Sequence, residues 1–310
     1  MARVLVTREL PGDALERLAA DHEVDLWPEG RPPPFEELLR RVADAEGLLC
    51  MLTDRVDSEL LEAAPRLRAV STMAVGTDNI DLEAATRRGI PVGHTPDVLT
   101  ETTADLALAL MLAAARRLPE GEAAVREGEW GPWDPSWLLG RDLHGATVGI
   151  VGMGRIGQAV ARRLEGFRVK LLEARRDGLD RVLGESDFVS LHCPLTEETR
   201  GLIDAAALGR MKRDAILVNT ARGPIVDPEA LAEALHAGGI AAAALDVTDP
   251  EPLPSDHALL EAPNLIVVPH VGSATHATRE GMAALAVDNL AAALRGERMP
   301  HTANPELYGR

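Results

Sequence analysis

Cysteine is scarce in this sequence, and its scarcity excludes two kinds of site. Cys50 and Cys193 are the two cysteines, and they lie in apolar runs without CxxC spacing. Neither a disulfide framework nor a metal knuckle is therefore expected. No H-E-x-x-H or comparable cluster occurs either, so the sequence predicts no metal site.

Basic clusters and long apolar runs are also missing. The chain has a formal net charge of -17 and no basic stripe, which argues against a nucleic-acid partner but leaves room for a small anionic substrate. The longest apolar helical run, Asp105 to Ala115, is too short to span a bilayer, and the opening MARVLVTREL is typical of a strand rather than a signal peptide. We therefore expect a cytoplasmic protein with no membrane partner.

What the chain does contain is an alternation of short apolar runs with amphipathic segments. This pattern predicts parallel sheets covered by helices on both faces, and a chain of 310 residues is long enough for two such domains. A long apolar helix, TETTADLALALMLAAARRL, separates two α/β series, and a final helix returns the chain to the first. We predict one domain of residues 1–97 plus 280–310 and a second of residues 98–279.

A glycine pattern at the start of the second series indicates a dinucleotide. VGIVGMGRIGQAV places Gly152, Gly154 and Gly157 in G-x-G-x-x-G spacing, after an apolar strand and at the start of a helix. Such glycines permit a tight turn and close backbone approach, so that a pyrophosphate can lie on the free N–H groups of the helix start.

The next strand ends in KLLEARRDG and bears on the choice of cofactor. Glu173 stands where a carboxylate would accept hydrogen bonds from the adenosine ribose and repel a 2′-phosphate. Arg175 or Arg176 could bind that phosphate instead. NAD(H) and NADP(H) both stay open, and the carboxylate tips the balance towards NAD.

Three polar residues end strands of the second series, where ligands of open α/β sheets bind. Arg222 follows AILVNTA, Glu251 follows ALDVTDP and His270 ends LIVVP. Reduction of a 2-keto acid needs an anchor for the carboxylate, which Arg222 can supply, and a proton donor, which His270 can supply. Glu251 paired with His270 would keep the imidazole protonated near neutrality. His192, also at a strand end, is the rival histidine and a candidate for the cofactor pocket.

Nearly the whole chain resembles the D-isomer-specific 2-hydroxyacid dehydrogenases. The motifs are VGIVGMGRIGQAVARRL, VNTARGPIVDPEAL, ALDVTDPEPLP and VVPHVGSAT. STMAVGTDNID, GHTPDVLTETTADLALALML, WGPWDPSW and LRGERMP are most like the glyoxylate/hydroxypyruvate reductases within that family. The resemblance implies a Rossmann dinucleotide-binding domain, residues 98–279, inserted in a flavodoxin-like substrate domain.

The resemblance also implies site residues. The catalytic set would be Arg222, Glu251 and His270, and the substrate would meet Leu52 and the backbone N–H groups of Val75 and Gly76. The tryptophan-rich segment would cross the interface of a homodimer, with Trp133 approaching the partner's active site. Further cofactor contacts are implied at Thr103, Arg155, Ile156, Pro194, Thr199, Thr220, Ala221, Asp246 and Gly272.

The chain departs from the family pattern at one place. Family members usually insert a helix and a short strand before the run that here reads SDFVSLHC, but only ARRDGLDRVLGE is present. We expect the loss of an edge strand, which shortens the wall beside the adenosine and leaves the core closed.

The function predicted from sequence is NAD(P)H-dependent reduction of glyoxylate and hydroxypyruvate to glycolate and D-glycerate. D-lactate and 3-phosphoglycerate dehydrogenases share the same core, although the early loops contain no extra basic cluster for a phosphate. A different class is a dinucleotide-sensing protein of corepressor type, which the acidic surface and the lack of a disordered tail disfavour.

Overall fold

A computed structural model describes residues 1–175 and 177–309, and it divides the chain into two compact units. The first unit consists of Met1–Leu99 and the chain from Ala274 onward, and the second is Thr100–Ser273. The sequence placed the boundaries at 97/98 and 279/280. The assignment of substrate to the first unit and dinucleotide to the second stays a prediction.

Each unit is built on one parallel sheet. The strands are β1 Arg3–Val6, β2 Glu23–Leu26, β3 Gly47–Cys50, β4 Ala69–Thr72, β5 Val92–Gly93, β6 Thr147–Val151, β7 Lys170–Ala174, β8 Phe188–Leu191, β9 Ile216–Asn219, β10 Ala242–Leu245 and β11 Leu265–Val267. The first unit has the order β2-β1-β3-β4-β5, and the second has the order β11-β10-β9-β8-β6-β7. Every pairing between these named strands is parallel, which confirms the predicted α/β fold class with two doubly wound parallel sheets.

The helices follow the alternation that the sequence predicts. They are α1 Ala14–Asp21, α2 Phe35–Val42, α3 Ser58–Ala63, α4 Leu82–Arg87, α5 Thr100–Ala115, α6 Leu118–Glu127, α7 Arg155–Leu164, α8 Leu179–Glu185, α9 Ala205–Arg210, α10 Pro228–His236 and α11 His276–Leu294. Several begin at a polar residue whose side chain accepts a hydrogen bond from the first turn: Asp57, Asp81, Asp204, Asp227 and Thr275. These caps satisfy N–H groups that have no partner inside the helix.

Two apolar cores enclose the second sheet. On one face, α5 and α7 pack over β6, β8 and β9, with Phe188 fully buried. On the other face, α8, α9 and α10 pack over the same strands. Because both faces are covered, the central strands are mostly apolar, and Ser190 and Asn219 are buried polar residues near the carboxyl ends of β8 and β9.

The predicted loss of an edge strand is confirmed. β7 lies at one edge of the second sheet and is followed directly by α8 and then β8, with no further strand between them among the described residues. Leu171, in β7, is 40% exposed. Within the described part of the chain, no helix is long and apolar enough to cross a membrane.

Candidate functional site

The predicted cofactor and catalytic residues of the second unit gather along the carboxyl edge of its sheet. Because its strands are parallel, the turns that follow them all emerge at that edge. The predicted residues follow β6 (Gly152, Gly154, Arg155, Ile156, Gly157), β8 (His192, Pro194, Thr199), β9 (Thr220, Ala221, Arg222), β10 (Asp246, Glu251) and β11 (His270, Gly272).

The glycine turn after β6 fits a dinucleotide. Gly152 has a φ of +96°, and a Cβ there would collide with the backbone of Cys193. A Cβ on Gly157 would collide with the carbonyl of Gly152, so the helix can approach the strand only without a side chain. A Cβ on Gly154 would meet nothing within 4 Å, which leaves open space above the start of α7. These are the three roles that glycines play beside a bound pyrophosphate.

The start of α7 supplies donors to that space. Gly154 is the N-cap residue, and the first N–H bonded back along the helix is that of Gln158, to Gly154 O at 2.9 Å. The backbone N–H groups of Ile156 and Gly157 precede that first intrahelical bond and lie at the positive end of the helix dipole. An anionic pyrophosphate is the ligand that such an arrangement suits.

Glu173 and Arg175 lie at the end of β7, which is an edge strand of the sheet. Glu173 is exposed and pairs in register with Ile150, one residue before the end of the strand. The N–H of Gly152 bonds to Ala174 O at 2.9 Å, and the exposed Arg175 is the first residue after the strand. Arg176 lies outside the described residues.

His192 is the rival histidine, and its surroundings keep it uncharged. The Ser190 hydroxyl lies 2.8 Å from its Nε2, and the Thr220 hydroxyl lies 3.4 Å from its Nδ1. Burial lowers the pKa of His192 to about 4. A neutral imidazole bonded to two hydroxyls is poorly suited to donate protons near neutrality and well suited to form part of a pocket wall. Nearby, the Thr199 hydroxyl donates to Pro194 O at 2.7 Å and holds the turn after β8.

Asn219, the last residue of β9, fixes the turn that carries Arg222. Its side-chain amide donates to Arg222 O at 2.9 Å, and its side-chain oxygen accepts from the N–H of Ala221 at 3.0 Å. Gly223 lies so close to the backbone of Thr248 that a Cβ would collide with it. This contact brings the turn after β9 against the turn after β10, where Glu251 follows.

Glu251 and His270 form a direct pair. Glu251 Oε1 lies 2.6 Å from His270 Nδ1, so the predicted pairing is present in the structure. Burial raises the pKa of Glu251, but the hydrogen bond and charge of His270, with the charge of Arg222, outweigh it and lower the pKa below its usual value. Glu251 is therefore ionised at neutral pH and can only accept, which places a proton on Nδ1 of the imidazole.

Asp246 holds the backbone that presents His270. Its side chain is 2% exposed, and its two oxygens accept from the N–H groups of Val271 at 2.7 Å and Gly272 at 2.9 Å. His270 itself has a φ of +53°, a left-handed conformation that costs a non-glycine residue free energy. Thr103 donates to Gly272 O at 3.2 Å and braces the same turn from α5.

The predicted substrate residues of the first unit follow β3 and β4. Leu52 comes after β3, and Val75 and Gly76 come after β4, all partly exposed. The Asn79 side chain donates to Met51 O at 3.1 Å and to Asp54 O at 2.8 Å, so it ties the two loops together.

Sequence reasoning missed the residues that hold these turns. Asn219 and Ser190 bond to predicted site residues, and Asn79 bonds to the backbone of Met51 beside Leu52, yet none of the three was singled out. The signal for Asn219 was its place at the end of an apolar strand, immediately before TARG. Among residues 1–175 and 177–309, no group of three or more potential ligand side chains is placed to hold a metal ion.

Comparison with known proteins agrees with this geometry. Residues 108–272 match the model of the D-isomer specific 2-hydroxyacid dehydrogenase NAD binding domain. The chain is 50% identical to a glyoxylate reductase of Korarchaeum cryptofilum, covering 98% of this chain and 96% of that protein. It is 46% identical to the glyoxylate reductase/hydroxypyruvate reductase of Homo sapiens, with 97% of each covered.

Two solved structures extend the likeness to three dimensions. A Thermus thermophilus protein superposes with a TM-score of 0.92 at 51% identity, covering 97% of this chain and 99% of that one. An NADPH-dependent glyoxylate/hydroxypyruvate reductase of Sinorhizobium meliloti, solved with NADP and malonate, superposes with a TM-score of 0.85 at 34% identity, covering 97% and 96%.

The lowered pKa of His192 predicts a specific loss of stability in acid. The unfolded state binds a proton near pH 6.5 and the folded state only near pH 4, so the free energy of unfolding falls as the pH drops through that window. We expect the contribution of His192 to lower the free energy of unfolding of the wild-type protein by about 2 kcal/mol between pH 7.5 and 5.0. In His192→Gln that contribution should vanish. Urea unfolding at constant ionic strength measures the free energy of unfolding of wild type and His192→Gln at each pH. Parallel pH curves for the two proteins would contradict the prediction.

Proposed function

This chain belongs to the D-isomer-specific 2-hydroxyacid dehydrogenase family and is an NAD(P)-dependent enzyme, and from that premise we propose that it reduces glyoxylate and hydroxypyruvate to glycolate and D-glycerate. The observation that carries the proposal is the 2.6 Å pair of Glu251 and His270 beside the turn of Arg222. Relatives of 46 to 50% identity that bear the names glyoxylate reductase and hydroxypyruvate reductase support the choice of substrates.

His270 is the proposed proton donor. Because the N–H at Nδ1 donates to Glu251 Oε1, Nε2 is the ring nitrogen left to face a substrate. The ionised carboxylate stabilises the imidazolium, which can then give a proton to the carbonyl oxygen as that oxygen gains charge. Asp246 keeps the ring in place, since its two backbone hydrogen bonds fix the turn directly after His270.

Arg222 is the proposed anchor for the 2-keto acid. A guanidinium offers parallel N–H donors in one plane, which match a carboxylate or an adjacent carboxylate and carbonyl. Its turn is fixed by Asn219, so the substrate would be oriented with little further loss of freedom. Leu52 and the N–H groups of Val75 and Gly76 are proposed as further substrate contacts.

The glycine turn is the proposed cradle for the nicotinamide dinucleotide. When bound, that group supplies the hydride that reduces the substrate carbonyl. The chain's own part is to hold the pyrophosphate with the N–H groups at the start of α7, where Gly154 leaves the approach open. Thr103, Pro194, Thr199, Thr220, Ala221, Asp246 and Gly272 are proposed to surround the rest of the cofactor.

A homodimer is the proposed assembly. Large apolar side chains between residues 118 and 139 are exposed: Leu118 57%, Val125 54%, Trp130 69%, Trp133 86%, Trp137 41% and Leu139 66%. Such a concentration on one segment is typical of a surface that another chain covers. We propose that this segment meets a second copy, with Trp133 approaching the partner's site. The cytoplasmic location predicted from sequence also stays a proposal; it fits two buried cysteines that are free thiols.

The proposed reaction predicts how three variants behave. His270→Ala removes the proton donor, so kcat should fall by about 10²–10⁴-fold. Arg222→Ala removes the anchor, and kcat/KM should fall by about 10²-fold. His236→Ala, at an exposed position that ends α10, should match wild type. Loss of NADH or NADPH absorbance with each keto acid measures all of them. A wild-type protein that turns over no small 2-keto acid would exclude the proposal.

The cofactor preference that we propose is NADH, on the strength of Glu173. Its carboxylate would oppose a 2′-phosphate, so Glu173→Ser should raise the ratio of kcat/KM for NADPH over NADH by about tenfold. Arg175→Ser should move the ratio the other way, because it removes a cation past the strand end. Lys212→Ser, between α9 and β9 and thus on the amino side of the sheet, is the control. A wild-type protein that already prefers NADPH would contradict the proposed preference and indicate that Arg175 outweighs Glu173.

The dimer proposal predicts a mass change on loss of apolar surface. Trp133→Ser combined with Leu139→Ser should lower the mass in size-exclusion chromatography with light scattering from two chains towards one. Leu260→Ser removes an apolar side chain that is 44% exposed elsewhere and should leave the mass unchanged. A wild-type protein that runs as one chain at micromolar concentration would contradict the assembly.

A further inference from the structure

His94 lies directly after β5, and its imidazole bonds to the loop after β4. We propose that His94 is a positioning residue for the substrate: it fixes the peptide between Val75 and Gly76 so that the Gly76 N–H is presented to the carboxylate of a 2-keto acid. The inference rests on the proposed function, in which that loop receives the substrate carboxylate.

The hydrogen bond itself sets the direction of the peptide. His94 Nδ1 lies 3.0 Å from Val75 O, and a carbonyl can only accept, so the ring nitrogen donates. Val75 C=O and Gly76 N–H belong to one peptide unit, which is trans, since the described cis bonds are at Pro250 and Pro252. In a trans peptide the two groups point in opposite directions. Holding the carbonyl towards His94 therefore turns the N–H away from it.

His94 can hold the peptide in place because its own backbone is fixed by a hydrogen bond. The Asn289 side chain, fully buried in α11, donates to His94 O at 2.9 Å. The next residue adds a second tie to the same loop, since Thr95 N–H donates to Ala74 O at 2.8 Å. Two consecutive carbonyls of the loop thus accept from two consecutive residues after β5.

The position of this bond indicates a role in binding rather than in the fold. Sheet pairing between β4 and β5 ends at Ser71 and Gly93, before the loop begins. Met73 N–H, bonded to Cys50 O at 3.0 Å, and the Asn79 side chain anchor the two ends of the loop. Between them, the partly exposed peptide of Val75 and Gly76 is held by His94. The Thr95 bond fixes the peptide of Ala74 and Val75, whereas the His94 bond fixes the peptide of Val75 and Gly76. Loss of the His94 imidazole would therefore misdirect the Gly76 N–H and weaken binding without unfolding the unit.

The test compares two replacements of His94 with one nearby control. His94→Ala removes the donor, and we expect KM for glyoxylate to rise about tenfold while kcat changes less than about threefold. His94→Asn restores an N–H donor on a shorter side chain and should recover most of the lost affinity. His301→Ala is the control, because the bonds that His301 makes to His94 and Asn289 use its backbone. Deuterium exchange should quicken over residues 73–79 in His94→Ala and stay slow in the other two.

A second measurement separates this inference from the proposed function. Calorimetry with oxalate, on protein saturated with the dinucleotide, reports carboxylate binding without turnover. If wild type reduces no keto acid, the proposed function fails, and oxalate still decides the role of His94. About tenfold weaker binding in His94→Ala, with recovery in His94→Asn, would support it. Equal binding or an equal KM in wild type and His94→Ala would overturn it, as would a loss confined to kcat or a wild type that binds no oxalate.

Discussion

Parallel hydrogen bonding between strands decides where this protein can carry out chemistry. In the second unit β6 pairs with both β7 and β8, and the ladder continues through β9 and β10 to β11. Every strand points the same way, so six turns emerge along one edge, while both faces are closed by helices. The glycine turn and the proposed catalytic residues all follow strands that end at this edge, so their proximity depends on that shared direction.

Buried polar side chains convert that edge into a defined geometry. Asn219 and Asp246 are almost wholly buried, and each bonds to backbone groups of the turn that carries a reactive residue. Burial of a carboxylate is costly and raises the pKa of Asp246. The hydrogen bond from the N–H of Val271 and the charge of His270 lower that pKa but do not cancel the rise. The two hydrogen bonds that Asp246 accepts stabilise the turn directly after His270 and with it the left-handed backbone of His270. Buried polar side chains thus hold the backbone of the proposed catalytic residues in place.

Much of this arrangement could be predicted from sequence because its signals are local. Gly152, Gly154 and Gly157 follow one strand at fixed spacing, and the apolar runs before Arg222 and His270 mark strand ends. The doubly wound fold was predicted from the alternation of short apolar runs with amphipathic segments, and the missing edge strand from a departure from the family pattern. The structure confirms both.

The residues that brace the site could not be predicted in this way. The bond of His94 to Val75 joins turns 19 positions apart, and that of Asn289 to His94 spans 195 positions. Such pairings follow from tertiary packing, which no short motif encodes. Cofactor preference at Glu173 and Arg175 could not be predicted from sequence for a related reason. Their charges are evident from sequence, but which of the two lies nearer the ribose depends on the folded backbone at the end of β7.

The two units differ in how they can form during synthesis. The second is one continuous stretch, Thr100–Ser273, whose cores draw on no other part of the chain. The first is interrupted: its core joins Ala2, Val4 and Leu49 to Met282, Ala286 and Leu290 of α11. Val4 and Leu49 must therefore wait for α11, which follows the whole of the second unit in the chain. The second unit can fold as it emerges from the ribosome, while part of the apolar sheet face of the first unit stays uncovered until α11 has been synthesised.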